Sequence, residues 1–439
     1  MKTKQLIACI FFLLIFYQAK AQHDTIRFFD DLKDRVTANS MTLKRADFNL
    51  SQAKKEKLAA IYGLIDPTGN FSGAYTNNTR LPVNLIPSEI LGGQPGTFQE
   101  VRFGVQYVTN LNAYAELKLI NFQGWENLQL SKINIQVNET DSRISLKNLL
   151  ENIAVVYYNI LNLQEQHKTF RQNLLSADTL YSFTLNRYNN GLATVQDLND
   201  SEVNRLNVEE SVKQIDYQLS QQYVALKLLC DFPESDGIAI KQESLGYDSS
   251  RKTEIATNTL MAQNASEKLR LSKSNLKLAK YAVAPSLSVF GSLQDQQYNT
   301  RARIFDNTVN WSASNYVGVK LSIPIPGGQF FKQTTKARYD YLIAKNYAEQ
   351  MNLQVSLNSK QLLLDREKTL SQLNNNFRIY TLRKETYQKN LLNYKEGLIG
   401  IEQTINSFNA MIGSQYSYIS SILNLLMVEE KININNKIN

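Results

Sequence analysis

The chain has 439 residues, a formal net charge of +8 and only two cysteines. Its 48 basic residues are scattered among 40 acidic ones without a basic block, so the charge reads as a solvated surface and excludes a nucleic-acid footprint. Beyond the N-terminus no stretch approaches about 18 consecutive apolar residues, which excludes a transmembrane helix but leaves open a membrane crossing by strands.

Lys2 and Lys4, the apolar run Leu6 to Tyr17, and Ala19-Lys20-Ala21 form the basic, apolar and small-x-small parts of a secretory signal. Residues 1–21 are expected to be a cleaved signal peptide, because the run is shorter than the ~20 residues a spanning helix needs. Losing Lys2, Lys4 and Lys20 lowers the charge from +8 to +5, and losing Cys9 leaves Cys230 alone, so no intramolecular disulfide is available.

Residues 22–65 read as a first helix, Thr25 to Tyr62, which ends before Pro67. Residues 66–122 read as a first strand pair. From Val101 to Leu119 the odd positions carry Val101, Phe103, Val105, Tyr107, Thr109, Leu111, Ala113, Ala115, Leu117 and Leu119, while the even ones are mostly polar or Gly. That is the period-2 pattern of a strand with one apolar face. A shorter strand near Phe71 to Thr76 precedes it, joined by a Pro- and Gly-rich loop from Asn77 to Gln99.

Residues 123–232 read as a helical hairpin. Between Gly124 and Gly191 lie 66 residues without Gly or Pro, which as one helix would span roughly 100 Å. Leu146, Leu150, Ile153, Tyr157 and Ile160 keep a 3,4 spacing, the seam of a coiled coil. A linker at 233–250, a helix at 251–284 and a second strand pair at 285–326 follow, the last with strands near Leu287 to Gln294 and Ala313 to Ile323. Residues 327–426 repeat the hairpin, with 68 residues free of Gly and Pro between Gly328 and Gly397, and 427–439 read as a polar C-terminal tail.

Each hairpin carries the same turn, 206 residues apart: Arg187-Tyr188-Asn189-Asn190-Gly191-Leu192 and Asn393-Tyr394-Lys395-Glu396-Gly397-Leu398. The chain is therefore a tandem of helix, strand, loop, strand, long helix, tip and helix. Matching the helix lengths places the two chain ends near mid-height, opposite the linker at 233–250.

Four strands cannot form a closed barrel, and an open sheet edge is not tolerated in lipid. Strands of about 10 residues with Tyr75, Tyr107, Tyr114, Trp311 and Tyr316 near their ends suit an outer-membrane barrel. A trimer would supply twelve strands, wide enough for a channel, and its helices would continue as a tube. The reading from a different class is a soluble periplasmic structural or adaptor protein with long coiled-coil hairpins as spacers; the duplicated strand pairs argue against it.

The Tyr188/Gly191/Leu192 and Tyr394/Gly397/Leu398 tips, the Pro67 and Pro285 entries into the strand pairs, and the Gly124 and Pro326-Gly327-Gly328 exits recur twice in the same order. On these residues the chain resembles the TolC family of outer-membrane efflux proteins over essentially its whole mature length. The resemblance implies a mixed α/β membrane protein: a homotrimer with a twelve-stranded transmembrane β-barrel in outer-membrane lipid and a long α-helical coiled-coil tunnel in the periplasm of a Gram-negative bacterium. It implies a passive exit duct for a tripartite efflux pump or type I secretion system, driven by an inner-membrane pump and joined through a periplasmic adaptor, or membrane fusion protein. Tyr188, Gly191, Leu192, Gly397 and Leu398 would form the adaptor-docking tips.

In this family the inner tip helices close the periplasmic mouth. Carrying the pattern over places a gate carboxylate at Asp197 and a gate tyrosine at Tyr394. The family's arginine two residues after the second glycine is Ile399 here, and its acidic ring six and nine residues after it is Gln403 and Asn406. The closed mouth is therefore expected to rest on packing of Ile399 and Ile401 and on amide contacts more than on charge, with Glu402 supplying charge from a neighbouring position.

No catalytic constellation is present in the sequence. The histidines are His23 and His167, without a Cys/His/carboxylate cluster at metal-ligand spacing, and no nucleophile-elbow, phosphate-loop or dinucleotide motif sits on a strand-to-helix turn. No enzyme activity and no cofactor are expected.

Overall fold

The computed structural model describes residues 24–26, 28–235, 237–241, 255–257 and 259–438. The expected signal peptide, His23 and most of the linker lie outside the described residues. In chain order the elements are β1 (Asp24–Ile26), α1 (Phe29–Asn39), α2 (Met41–Tyr62), β2 (Thr68–Asn77), β3 (Val83–Pro87), β4 (Phe98–Arg102), β5 (Tyr107–Ile120), α3 (Phe122–Asn189), α4 (Val195–Cys230), β6 (Ile238–Ile240), α5 (Leu260–Tyr281), β7 (Ser286–Asn299), β8 (Trp311–Ser322), α6 (Gly328–Lys395) and α7 (Ile401–Lys437). Two compact units result: one draws on Met1–Asn49, Glu139–Asn264 and Glu349–Asn439, the other on Leu50–Asn138 and Ala265–Ala348.

The second unit holds an antiparallel sheet of four strands in the order β2-β5-β7-β8. β2 begins at Thr68 and β7 at Ser286, immediately after Pro67 and Pro285, where a helix cannot continue. Register places Phe71, Leu111, Ala113, Leu117, Val289, Leu293, Val317, Val319 and Leu321 on one face. Many of these face solvent, Val317 with 86% of its surface and Phe71 with 74%. The opposite face is polar. There Glu116 accepts hydrogen bonds from Ser288 Oγ and Tyr114 Oη, both at 2.6 Å, and an ion pair from Lys320 at 3.5 Å. Neither β2 nor β8 has a second strand partner among the described residues.

The expected single strand from Val101 to Leu119 is two strands. Residues 98–102 pair with β3 instead, and the ladder of β5 opens only at Tyr107. Between them Gly104 takes φ +123°, a conformation only glycine adopts without strain, and this breaks the extended run. The loop expected from Asn77 to Gln99 thus contains a strand, β3, and a short 3₁₀ turn, Ser88–Leu91.

Where β5 passes into α3, Asn121 does the work of a cap. Its Oδ1 accepts from Gly124 N at 2.9 Å and its Nδ2 donates to Gly63 O at 2.9 Å, fastening the helix start to the end of α2. A Cβ at Gly124 would lie 2.6 Å from Gly63 O, so the glycine is required by this close approach.

In the first unit the seam of α3 packs as its spacing foretells: Leu150, Ile153, Ala154, Tyr157 and Ile160 are buried with Leu32, Val36, Leu226 and Leu423. β1 pairs in parallel with β6, Asp231 accepts from Met41 N at 2.8 Å, and Lys437 meets Asp30 at 3.8 Å. The residues after the first hairpin and both ends of the described chain therefore share one neighbourhood. Residues 427–437 are not a polar tail. They continue α7, with Val428, Ile432 and Asn435 buried at helical spacing, and Asn435 bonds Lys147 Nζ at 3.0 Å and Ala256 O at 2.9 Å. The alternation Ile432-Asn433-Ile434-Asn435 hides that period. Likewise 255–257 are not helical, so the helix expected from 251 starts at Leu260.

Substituting Gly124→Ala is expected to destabilise by about 1–3 kcal/mol through the forced clash, and Asn121→Ala by about 1 kcal/mol through the lost cap. Chemical unfolding of the two variants checks the order. In the loop between β7 and β8, Asp306 accepts from Thr308 Oγ1 at 2.7 Å, Thr308 N at 3.0 Å and Asn299 Nδ2 at 2.9 Å. These bonds, those from Thr308 foremost, hold its carboxyl down to about 2. A depressed carboxyl stabilises above its unfolded value and loses that contribution as pH falls through its folded value. Hydrogen exchange across 300–310 should thus be slow near neutrality, rise as pH drops from about 4 towards 2 beyond the intrinsic pH effect, and lose this dependence in Asp306→Asn.

Candidate functional site at the hairpin tips

The two repeated turns have the same backbone. Leu192 N donates to Arg187 O at 2.8 Å and Gly191 N to Tyr188 O at 2.9 Å; Leu398 N donates to Asn393 O at 2.8 Å and Gly397 N to Tyr394 O at 3.0 Å. This six-to-one, five-to-two pair of bonds terminates a helix through a left-handed residue, and the glycines supply it at φ +71° and +77°. The leucine that follows usually packs back on such a helix end. Here Leu192 and Leu398 stay 66% and 69% exposed.

After the glycine the copies diverge. Thr194 caps α4, its Oγ1 accepting from Asp197 N at 3.1 Å while the Asp197 carboxylate accepts from Thr194 N at 2.7 Å and Thr194 Oγ1 at 2.8 Å. That is a reciprocal capping box. Gly400 caps α7 with no side chain at all.

The tyrosines diverge as well. Tyr188 is exposed, whereas Tyr394 is buried with Leu180 and Ile401, and Phe183, Leu391, Ile399 and Ile405 pack around them. Tyr394 Oη lies 3.1 Å from Thr184 Oγ1, so the phenol is satisfied inside an apolar cluster. Its ring meets Phe183 edge-on at 5.7 Å. Below, Tyr387 packs on Phe408 at 5.0 Å beside Ala177, Val208 and Met411, and burial raises the Tyr387 phenol.

Arg187 joins the two tips. Its guanidinium donates to Tyr394 O at 3.4 Å and to Leu192 O at 3.3 Å, and stands 5.3 Å from the centre of the Tyr394 ring. It thus sits at the carbonyl end of both long helices, where a cation is favoured. The sequence reading quoted Arg187 only as part of the turn. The only trace in the sequence is that the turn opens with Arg187 in one copy and Asn393 in the other, which marks a difference between the copies but not the contact.

The residues expected at the gate fall into three groups. Tyr394, Ile399 and Ile401 share one cluster. Asp197 is engaged with Thr194 in its own turn. Glu402 and Asn406 line a groove of about 370 Å³ between α7 and α4, while Gln403 is exposed and belongs to neither. Arg187→Ala should loosen the tips by about 1–2 kcal/mol, the loss of charged hydrogen bonds and a cation–π contact. Arg187→Lys should not restore it, because an ammonium cannot fork between two carbonyls. Hydrogen exchange at 190–195 and 396–401 reads the effect.

The sequence profile of the outer membrane efflux protein family matches residues 105–230. No curated protein matches the chain in sequence. In fold it is similar to the CmeC outer membrane channel of Campylobacter jejuni, at 15% identity and TM-score 0.74 over 93% of this chain and 85% of that one. It is similar to the outer membrane protein VceC of Vibrio cholerae, at 16% and 0.70 over 91% and 95%, and to CusC, at 15% and 0.76 over 94% and 92%. Residues 105–230 therefore match the outer membrane efflux protein family, and the chain as a whole has the fold of these solved outer-membrane channels.

Proposed function

We propose that the chain is one protomer of a homotrimeric outer-membrane channel-tunnel, a passive exit duct that opens at its helical tips. The four-stranded sheet carries this reading: its apolar face is exposed and both of its edges lack partners among the described residues. Three copies would join β8 of one to β2 of the next and close twelve strands, leaving no edge in lipid. The polar face around Glu116 would then line the lumen. The family match over 105–230 and the likeness to solved outer-membrane channels support the same assignment. Energy and substrate choice would come from an inner-membrane pump of a tripartite efflux or type I secretion assembly, and a periplasmic adaptor would dock against the exposed Leu192 and Leu398.

The chain should fractionate with outer membranes and run as a heat-modifiable trimer. Recovery as a soluble periplasmic monomer would overturn the proposal. At the gate, Tyr394→Phe combined with Asp197→Ala removes the Thr184 contact and the carboxylate half of the α4 capping box, and should raise resting conductance in planar bilayers. Unchanged single-channel conductance would remove both residues from the gate.

A further inference from the structure

The loop between β7 and β8 is folded onto one side of the sheet, and the strand register tells which. Gln297 pairs with Thr109 and Trp311, in the alternation that carries Leu293 and Val317 on the apolar face. Its side chain holds the loop from that face: Nε2 donates to the carbonyls of Asp306 and Val309, and Oε1 accepts from Asp306 N at 2.9 Å. Asn299, on the same face, donates from Nδ2 to the Asp306 carboxylate at 2.9 Å. Gln297 is left 1% exposed beneath the loop, so residues 301–310 lie against the apolar side of the sheet and not over the polar one.

Outward the loop presents Arg301, Arg303, Ile304 and Phe305, all exposed. Phe305 takes φ +56°, a left-handed conformation costly for an aromatic residue, yet 57% of its surface is open. Neither its backbone nor packing within the chain accounts for a phenylalanine there. Asp306, the loop's only acid, is buried and meets Arg303 at 3.8 Å, while Arg301 has no ion-pair partner among the described residues. Asp295, two residues further down the same face of β7, pairs with neither arginine. The exposed charge of the loop is therefore cationic, and it adjoins two exposed apolar side chains.

We infer that this loop is a lipid clamp: it seats Ile304 and Phe305 in the outer leaflet and binds the phosphate of an anionic lipid headgroup through Arg301 and Arg303. The inference rests on the duct reading, which puts the apolar face in lipid and this end of the sheet, the one away from the helix connections, at the outer surface. Tyr75, Tyr107 and Trp311 share the loop's face and its end of the strands, and aromatic girdles of this kind mark the boundary between hydrocarbon and headgroups. At that depth a guanidinium meets phosphate, whose oxygens accept its paired N–H donors.

The chain holds two tryptophans, so Trp125→Phe leaves Trp311, whose ring stands 5.9 Å from that of Phe305, as the sole reporter. The full-length protein with this change is placed in phosphatidylcholine nanodiscs that contain, at the same mole fraction, either phosphatidic acid or phosphatidylcholine brominated on an acyl chain. A basic side chain at a membrane surface enriches anionic lipid about fivefold. Brominated phosphatidic acid should therefore quench Trp311 as if about fivefold more abundant than brominated phosphatidylcholine. The excess should vanish in Arg301→Gln/Arg303→Gln and shrink in Ile304→Ser/Phe305→Asn, which keeps both cations and a residue that tolerates positive φ. Equal quenching by the two lipids overturns the clamp and leaves the apolar face in lipid. Quenching by neither overturns the clamp and the duct reading together. An excess that survives loss of the arginines places the phosphate elsewhere and overturns the clamp as well. If the double variant does not fold, Arg301→Gln alone decides, because that side chain holds no ion pair in the loop.

Discussion

The four-stranded β-sheet has one apolar face and, among the described residues, two unpaired edges. The outer strands β2 and β8 each present a row of main-chain donors and acceptors with no ladder to join. Val317, Val319 and Leu321 stand on the apolar face more than half exposed. The opposite face is wet in character, with Ser288 and Lys320 bonded to Glu116 and Ser292 bonded to Asn112. Two faces of opposite polarity are what a wall between lipid and water requires, and closure by further copies is what removes its edges.

The helices pose the same problem in a milder form. α3 and α6 each run 68 residues, far longer than any helix held by propensity alone, since isolated helices are marginal in water and rely on packing of one face. α3 buries Leu150, Ile153 and Ile160 against its neighbours, whereas α6 leaves Phe331, Leu353, Leu357 and Leu382 exposed. The unmatched face of α6 is a further surface that more than one copy would cover.

Much of this was legible because it follows periodicity. The long helices, the entries after Pro67 and Pro285, and the alternating face of β5 come from spacings of 3.6 and 2, which composition cannot blur. What escaped was governed by single residues acting at a distance. Gly104 cut one strand into two, because its backbone demand outweighs the alternation around it. The helix through Ile432 and Ile434 was disguised by asparagines whose amides find partners on α3 and at Ala256. At the tips, the turn was readable from its glycines, but the bond of Arg187 to the other hairpin was not, because a cross-tip contact leaves no periodic trace.

The tips differ in a way that bears on how they open. Each hairpin ends in the same backbone turn, yet only the second buries its tyrosine, and only the first contributes the cation. The contacts that result are Tyr394 with Thr184, Ile401 with Leu180, and Arg187 with two carbonyls, none of them between opposite charges. Salt weakens exposed ion pairs because mobile ions screen them within about 8–10 Å, but it has far less hold on packing and on bonds to carbonyls. In the gate proposed above, a closure of this kind would therefore be little weakened by salt screening. Under the proposed gate it would be released by displacing one helix end against the other, and the two exposed leucines lie one residue beyond the glycines where such a displacement would be applied.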